Sequence, residues 1–356
     1  PHRSAQDLEG LIVDVELTNF PAPAQLPKGR VVEILGKRDE FGVDVDGNGA
    51  LDVLAAVGPG RAVELRVAYA NAGGTAYAAP VVLPCAGAIL ADYDPLAAVR
   101  GWPIAAGDLN GDGAADYVTP ERVYLRLNPA NLIGCALAPL AMRASTEPWS
   151  EAIIADFNAD GRLDVAAASE ALGGIDFLMG TPNVVLNRAR VETQLGAKSL
   201  RVGDFDGDLV TDLAIVQSID EDQVWVLFGK LQGAPTEPVF MGRFDSVESM
   251  APTFRTTGSF LDATTDLAIV SLNLQSNQRS VAALLGTPER RMFSPFALPG
   301  LLDDRAPLGV WVGNFDPANP YDDVVSATSQ RMFFIQGAVG AEYSAASARA
   351  VLPRAT

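Results

Sequence analysis

The segment Gly107–Tyr117, which reads GDLNGDGAADY, decides how this chain folds. Counted from Asp108, side chains that carry oxygen stand at positions 1, 3, 5 and 9, and a glycine stands at position 6. That glycine allows the positive φ angle of a tight turn, so alternate side chains can point into one loop. Apolar residues follow Asp116, which predicts that the loop leads into a β-strand.

The same loop recurs along the chain, which predicts a repeat architecture. Four copies carry all four oxygen-bearing side chains, and the last two keep the apolar flanks but have lost most of the oxygen atoms. The copies start at residues 44, 108, 156, 204, 259 and 314, so the intervals are 64, 48, 48, 55 and 55 residues.

Each repeat contains four short apolar runs, one before the loop and three after it. Four short strands in about 50 residues are typical of one blade of a β-propeller. We therefore predict an all-β fold, a β-propeller of seven four-stranded blades with one blade built from both chain ends. Six blades with an N-terminal extension are the alternative. We expect residues 1–356 to form one domain, with an insertion within residues 70–99 that explains the longest interval.

The net charge of −18 argues against nucleic acid or an anionic membrane surface as a partner. The sequence contains no apolar run of the ~18 residues that a membrane span requires. It starts at Pro1 without a recognisable signal peptide, which indicates a piece of a larger protein or assembly. The chain contains a single histidine, His2, which argues against histidine-based catalysis.

The loop chemistry points to calcium. Oxygen atoms at positions 1, 3, 5 and 9, with the backbone carbonyl of position 7, form the cage of hard ligands that calcium takes, whereas magnesium prefers a smaller octahedral shell and zinc prefers sulfur or imidazole. An EF-hand would need glutamate at position 12, where the loops have Ala55, Thr119, Ala167 and Ile215. The alternative is that the loops close through their own Asx hydrogen bonds and bind no ion.

Gly107–Gly113 and Gly203–Asp208 make the chain resemble the FG-GAP/VCBS repeat, the calcium-loop propeller blade also found in the heads of integrin α-subunits. The resemblance covers residues 40–335. It implies that each loop joins the first and second strands of its blade and that three or four structural Ca2+ ions are bound. The ligands that it implies, with position 7 contributing its carbonyl, are Asp44, Asp46, Asn48, Ala50 and Asp52; Asp108, Asn110, Asp112, Ala114 and Asp116; Asp156, Asn158, Asp160, Arg162 and Asp164; and Asp204, Asp206, Asp208, Val210 and Asp212.

The fourth loop departs from the pattern because Leu209 replaces the turn glycine. We expect this to cost on the order of 1 kcal/mol of strain or to change the turn. The fifth and sixth loops are expected to hold no ion.

Four further residues recur at similar places in adjacent repeats. Cys85 and Cys135 precede their loops by 23 and 21 residues, and the insertion could bring them together as a disulfide; two buried thiols are the alternative. Trp102 and Trp149 precede their loops by six and seven residues, so they should lie on the face opposite the loops. They could contact a glycan or protein partner, or they could pack between blades.

No nucleophile–base arrangement, P-loop or dinucleotide fingerprint is present in the sequence. We therefore predict a non-catalytic, calcium-stabilised binding or adhesion module that is extracellular, on the cell surface or periplasmic, of bacterial origin, and that recognises a protein or a glycan. The alternatives are a propeller domain of a polysaccharide-active enzyme and a structural subunit of a cell-envelope assembly.

Overall fold

The computed structural model describes the repeats in part. The described residues are 11–19, 28–37, 44–46, 48–50, 52–57, 64–72, 76–83, 105–112, 115–118, 123–126, 137–139, 151–168, 173–181, 186–193, 196–218, 220–253, 264–276, 278–287, 293–299, 307–313, 323–328, 332–335 and 349–350.

All regular secondary structure in these residues is β-strand, in 25 strands, so the predicted all-β class is confirmed. The strands form seven antiparallel sheets in which strands that are consecutive along the chain pair with each other. Five sheets have four strands: β6 to β9 (Ala105–Gly107, Asp116–Val118, Val123–Arg126, Leu137–Pro139), β10 to β13 (Glu151–Ala155, Asp164–Ala168, Ile175–Met179, Asn187–Val191), β14 to β17 (Ala197–Gly203, Asp212–Ser218, Asp222–Leu227, Val239–Phe244), β18 to β21 (Ser246–Thr253, Asp266–Asn273, Gln278–Leu285, Phe293–Pro299) and β22 to β25 (Pro307–Gly313, Asp323–Thr328, Met332–Ile335, Arg349–Ala350).

The two remaining sheets lie in the N-terminal part of the chain. A two-stranded sheet consists of β1 (Leu11–Asn19) and β2 (Lys28–Lys37), and a three-stranded sheet consists of β3 (Val53–Val57), β4 (Glu64–Ala68) and β5 (Val81–Val82). β1 pairs with β2, and β25 pairs with β24. The described strands at the two ends of the chain therefore belong to different sheets.

Burial changes from the first strand of a sheet to the last. In the sheet β10 to β13, the first strand is partly exposed along its length, the second and third are buried on both faces, and the fourth is largely exposed. A strand that is covered on both faces needs apolar side chains at successive positions. The continuous run Val165–Ala168 meets that need.

Apolar layers fill the space between successive sheets. Between the third and fourth repeats, for example, the buried residues Phe177 and Leu213 belong to one cluster. Phe157 meets Phe177 edge to face, with ring centroids 5.3 Å apart. Similar layers join the first repeat to the second, the second to the third and the fourth to the fifth.

The first strands of successive sheets are neighbours. β6 contacts β10, β10 contacts β14, β14 contacts β18, and β18 contacts β22. Consecutive sheets therefore follow one another with their first strands together. No helix in the described part of the chain combines the length and hydrophobicity of a membrane span.

Candidate metal centre

The acidic loops occupy equivalent places in the fold. The second, third and fourth loops connect β6 to β7, β10 to β11 and β14 to β15, which are the first and second strands of their sheets. The first loop leads into β3. Because the connection is the same each time, these loops lie at the same end of their sheets.

The aspartate at position 1 organises each turn by accepting backbone hydrogen bonds. In the fourth loop, Asp204 Oδ1 accepts from the amides of Gly207 (2.7 Å) and Asp208 (3.0 Å), and Asp204 Oδ2 accepts from that of Leu209 (2.9 Å). Two of these three bonds recur in each of the other loops: the amides of positions 5 and 6 donate to Asp44 and to Asp156, and those of positions 4 and 5 donate to Asp108. The Asx hydrogen bonds that were the alternative to a cation are thus present. They do not exclude a cation, because the two oxygens of a carboxylate accept about four interactions together.

The side chains at positions 3 and 5 accept further backbone hydrogen bonds within the turn. Asp206 Oδ1 accepts from the amide of Asp208 (3.1 Å), and Asp208 Oδ1 accepts from that of Val210 (2.9 Å). In the second and third loops Asn110 and Asn158 take the place of Asp206 and accept from the amides of position 5 at 2.9 and 3.1 Å. Oxygen atoms from alternate residues therefore face the inside of one turn.

Two positions of the turn have a positive φ. The residue at position 6 has a positive φ at Gly49 (82°), Gly161 (79°) and Leu209 (68°). The fourth loop therefore forms the same turn as the others, although a leucine is strained in the left-handed region. The residue at position 4 also has a positive φ, at Gly111 (74°), Ala159 (53°) and Gly207 (76°). The sequence analysis did not predict this second requirement, although the glycines at position 4 of the first, second and fourth loops, Gly47, Gly111 and Gly207, indicate it.

The aspartate at position 9 joins the loop to the rest of its sheet. Asp212 Oδ2 accepts from the amide of Phe205 (2.7 Å), inside the loop, and Asp212 Oδ1 accepts from that of Gly229 (2.8 Å), just beyond the third strand. Asp164 makes the same pair of bonds to Phe157 (3.0 Å) and Gly180 (2.6 Å).

The first repeat has both bonds of this arrangement, and the second and fifth repeats show one of them each. Asp52 accepts from the amides of Val45 and Ala70, and Asp116 accepts from that of Leu109. Asp266 of the fifth repeat accepts from the amide of Gly286 at 2.8 Å although its loop lacks the other oxygen atoms. All of these position-9 aspartates are buried. The aspartate at position 9 therefore has a structural role within its sheet. The sequence analysis predicts this residue only as a metal ligand and does not predict the structural role.

The electrostatics of the loops favour a cation. Burial, with smaller contributions from the nearby charges of Asp206 and Asp204, raises the pKa of Asp212 to about 7 against the opposing effect of the hydrogen bonds from the amides of Gly229 and Phe205. Burial likewise raises the pKa of Asp164 to about 6, and the pKa values of Asp46 and Asp204 are raised as well, with burial the largest cause. A divalent cation would stabilise the ionised form of these carboxylates.

Two of the loops bring three carboxylates within reach of one ion. Oxygen atoms of Asp44, Asp46 and Asp52 lie within 4.8 Å of one another, and so do those of Asp204, Asp206 and Asp208. The donor set fits calcium, which prefers carboxylate and carbonyl oxygen. The third loop differs in that Arg162 Nη1 lies 3.3 Å from Asp160 Oδ2 and partly neutralises it.

Several residues singled out in the sequence lie outside the described residues. They are Ala114, Cys85, Cys135, Trp102 and Trp149, together with residues 254–263 and 314–322 of the fifth and sixth loops. Of the expected insertion, residues 70–72 and 76–83 are described, and Ala70 forms a bridge with Tyr77.

The acidic run at residues 220–222, which lies between β15 and the start of β16, is only partly exposed to solvent. Asp220 and Glu221 are exposed, whereas Asp222 is buried. Asp222 accepts hydrogen bonds from Ser218 Oγ and from the amide of Val247, and it pairs with Lys198 Nζ. The run is therefore a turn that also anchors the next sheet.

Comparisons with known proteins address the repeat itself. A crystal structure described as BBS1N in complex with ARL6DN, soaked with lead, is similar to this chain at 11% identity and a TM-score of 0.42, over 79% of this chain and 77% of that chain. At that TM-score the likeness carries no argument about fold or function. No curated protein sequence matches this chain. Residues 44–119, which contain the first two loops, match the family model of the FG-GAP-like repeat. The resemblance to FG-GAP repeats that the loop residues predict is therefore confirmed over residues 44–119.

Proposed function

We propose that this chain is a calcium-stabilised β-propeller that serves as an extracellular recognition or adhesion module. One observation carries the calcium part of the proposal. Four loops at equivalent places present oxygen atoms from alternate residues, and in two of them three carboxylates lie within 4.8 Å of one another. The match of residues 44–119 to the FG-GAP-like repeat supports it.

The first and fourth loops are the best sites because they concentrate the most carboxylates on one point. The second and third loops, with an asparagine at position 3, complete a set of three to four Ca2+ ions. Each ion would neutralise carboxylates whose pKa values burial and mutual repulsion raise. Its role is structural, because it stabilises a turn that like charges would otherwise open.

A closed propeller is the arrangement that best explains the sheets. Their first strands are neighbours in chain order, their middle strands are buried on both faces, and apolar layers separate them. A ring of such sheets also leaves only short exposed edges. We propose seven blades, with six as the alternative.

The partner surface is proposed on the face opposite the loops. The loop carboxylates are engaged in the turns, so recognition of a protein or glycan falls to other residues, with Trp102 and Trp149 as the first candidates. We propose a non-catalytic role, outside the cell or in the periplasm, as part of a larger protein.

Thermal unfolding with and without calcium tests the proposal. Each occupied site adds about 2.7 kcal/mol when free calcium exceeds its Kd a hundredfold. We therefore expect a chelator to lower Tm by about 5 °C or more. The Asp208→Ala variant should lose part of the calcium-dependent increase, whereas Asp220→Ala, at an exposed aspartate outside the loops, should retain it.

Calorimetric titration should count three to four ions. Identical melting with and without calcium would refute the structural role. A glycan array or pull-down with Trp102→Ala and Trp149→Ala tests the partner face, and unchanged binding in both variants would exclude these tryptophans from it.

A further inference from the structure

The fourth loop is hydrogen-bonded to the fifth repeat through its first residue. The amide of Asp204 donates to Thr265 Oγ1 at 3.0 Å, and the carbonyl of Asp204 accepts from the amide of Thr265 at 2.5 Å. Thr265 is buried and stands immediately before Asp266, the position-9 aspartate of the fifth repeat. The residue that starts one acidic loop is thus paired, on both sides of its backbone, with the next repeat.

Close packing leaves little freedom at this junction. A Cβ atom placed on Gly286 would lie 2.4 Å from the Thr265 carbonyl oxygen and 2.6 Å from that of Phe205, which follows Asp204. A Cβ atom on Gly203 would lie 2.7 Å from Thr265 Cγ2. The backbones of the two repeats approach so closely that a shift of the fourth loop must be transmitted to residues 264–266.

The rest of the interface joins the same two sheets. Arg201 Nε donates to the carbonyl of Met250 at 2.7 Å, so a side chain of β14 reaches β18. Asp222 accepts from the amide of Val247 at the other end of the sheets. The fourth and fifth repeats are therefore connected at the loop end, along their first strands and at the opposite end.

The fifth repeat has no ligand set of its own. It retains Asp266 at position 9, but the sequence before it, Ser259–Thr265, supplies no carboxylate other than that of Asp262. Its position-9 bond to Gly286 is formed all the same, next to Thr265 and the fourth loop.

We propose that the fourth loop and the fifth repeat form one thermodynamic unit, in which a divalent cation bound by the fourth loop stabilises the repeat that lacks its own ion. Thr265 is the coupling residue. The inference rests on the proposed function, because it requires that the fourth loop binds a cation. An ion that holds the Asp204 carboxylate also restrains the Asp204 backbone, and both Thr265 hydrogen bonds depend on that backbone.

Coupling of this kind is reciprocal. If the ion strengthens the junction, then weakening the junction must lower cation affinity by the same factor. Thr265→Val removes the hydroxyl that accepts from Asp204 and keeps the side-chain volume. The loss of one hydrogen bond predicts a roughly 3- to 10-fold weaker Kd at the fourth site.

Peptide-resolved hydrogen exchange with calcium chloride or with a chelator tests the proposal on the whole chain. In the unmodified protein, calcium should slow exchange about tenfold at residues 204–212 and also at residues 264–272. Asp208→Ala should abolish both effects and leave the response of residues 156–164 intact. Asp160→Ala, the equivalent change in the third loop, should abolish the response of residues 156–164 and keep that of residues 264–272.

The threonine variants separate coupling from folding. Thr265→Val removes one of the two hydrogen bonds and keeps the one that the Thr265 amide donates to the Asp204 carbonyl. It should therefore keep calcium-dependent protection in the fourth loop, at a raised calcium requirement, and reduce the calcium-dependent protection at residues 264–272. Thr211→Val, at the same position of the fourth repeat, should behave like the unmodified protein.

Three outcomes would overturn the inference. If calcium protects residues 204–212 but not residues 264–272, the coupling is absent while the proposed calcium binding stands. If residues 264–272 still respond in Asp208→Ala, or respond as strongly in Thr265→Val as in the unmodified protein, the effect does not come from the fourth loop through Thr265. If no loop responds to calcium, the proposed calcium binding fails and this inference fails with it.

Discussion

The role of the position-9 aspartate can be tested apart from any ion at Asp266. Its loop lacks the other ligands, yet Asp266 is buried and accepts from the amide of Gly286 at 2.8 Å. In Asp266→Ala the Gly286 N–H would lose its acceptor inside the protein. The Gly286 backbone has little room to move towards another acceptor, because its Cα already approaches two backbone carbonyls too closely to carry a Cβ atom.

The cost follows from the burial of that amide. An unsatisfied buried donor costs about 1–3 kcal/mol, and a hydrogen bond to a charged acceptor lies in the upper half of that range. We therefore expect Asp266→Ala to lower the free energy of unfolding by about 2–3 kcal/mol. Asp266→Asn keeps an oxygen that can accept from Gly286 and should recover more than half of the loss.

Urea unfolding followed by far-UV circular dichroism, with calcium and with a chelator, measures these effects. The loss in Asp266→Ala should be the same in both conditions, since no ion is expected at the fifth loop. Asp212→Ala should cost more with calcium, because it removes the same kind of bond and a proposed ligand. A loss of under about 0.5 kcal/mol in Asp266→Ala, the range of neutral surface changes, would refute the reasoning. Equal losses in the alanine and asparagine variants would also refute it.

Two further predictions concern strain and pH. Leu209 has a φ of 68° and is 83% exposed, so Leu209→Gly should relieve the left-handed strain with little loss of burial. After the entropy cost of glycine, we expect the free energy of unfolding in urea to rise by about 0.5–1 kcal/mol. Leu231→Gly, at an exposed leucine without a positive φ, should give no such gain. Burial raises the pKa of Glu151 above its ordinary value of 4.5, against the opposing effect of Arg201. The folded state therefore holds this proton more tightly than the unfolded state, and the contribution of Glu151 to stability should fall as pH rises from 4.5 through the raised pKa. When Tm is measured against pH, the Tm of Glu151→Gln should rise relative to that of the unmodified protein over that range. A Tm difference that does not change with pH would contradict the raised pKa of Glu151.

The repeat, the strands and the turns of the acidic loops could be predicted because they depend on residues close in sequence. The alternating oxygen atoms of Asp108–Asp116 and the apolar runs around them are local patterns, and their recurrence sets the length of each unit. Short-range hydrogen bonds, such as those that Asp204 accepts within its own turn, follow directly from that spacing.

The left-handed residue at position 4 is a partial exception. Gly111 and Gly207 indicate it, but Ala159 adopts the same conformation with an ordinary side chain. An alanine carries no sequence signal for a positive φ, so only the turn formed around it reveals the requirement.

The sequence by itself determined an all-β repeat with acidic loops, because periodicity and local turn chemistry act within a few residues. Only the tertiary structure decided what Asp212, Asp222 and Thr265 do. Their partners are 17, 25 and 61 residues away in the chain, at Gly229, Val247 and Asp204. These contacts form only when neighbouring strands and repeats are packed together. Burial then selects the hydrogen bonds, because a buried carboxylate, hydroxyl or amide must find a partner inside the protein.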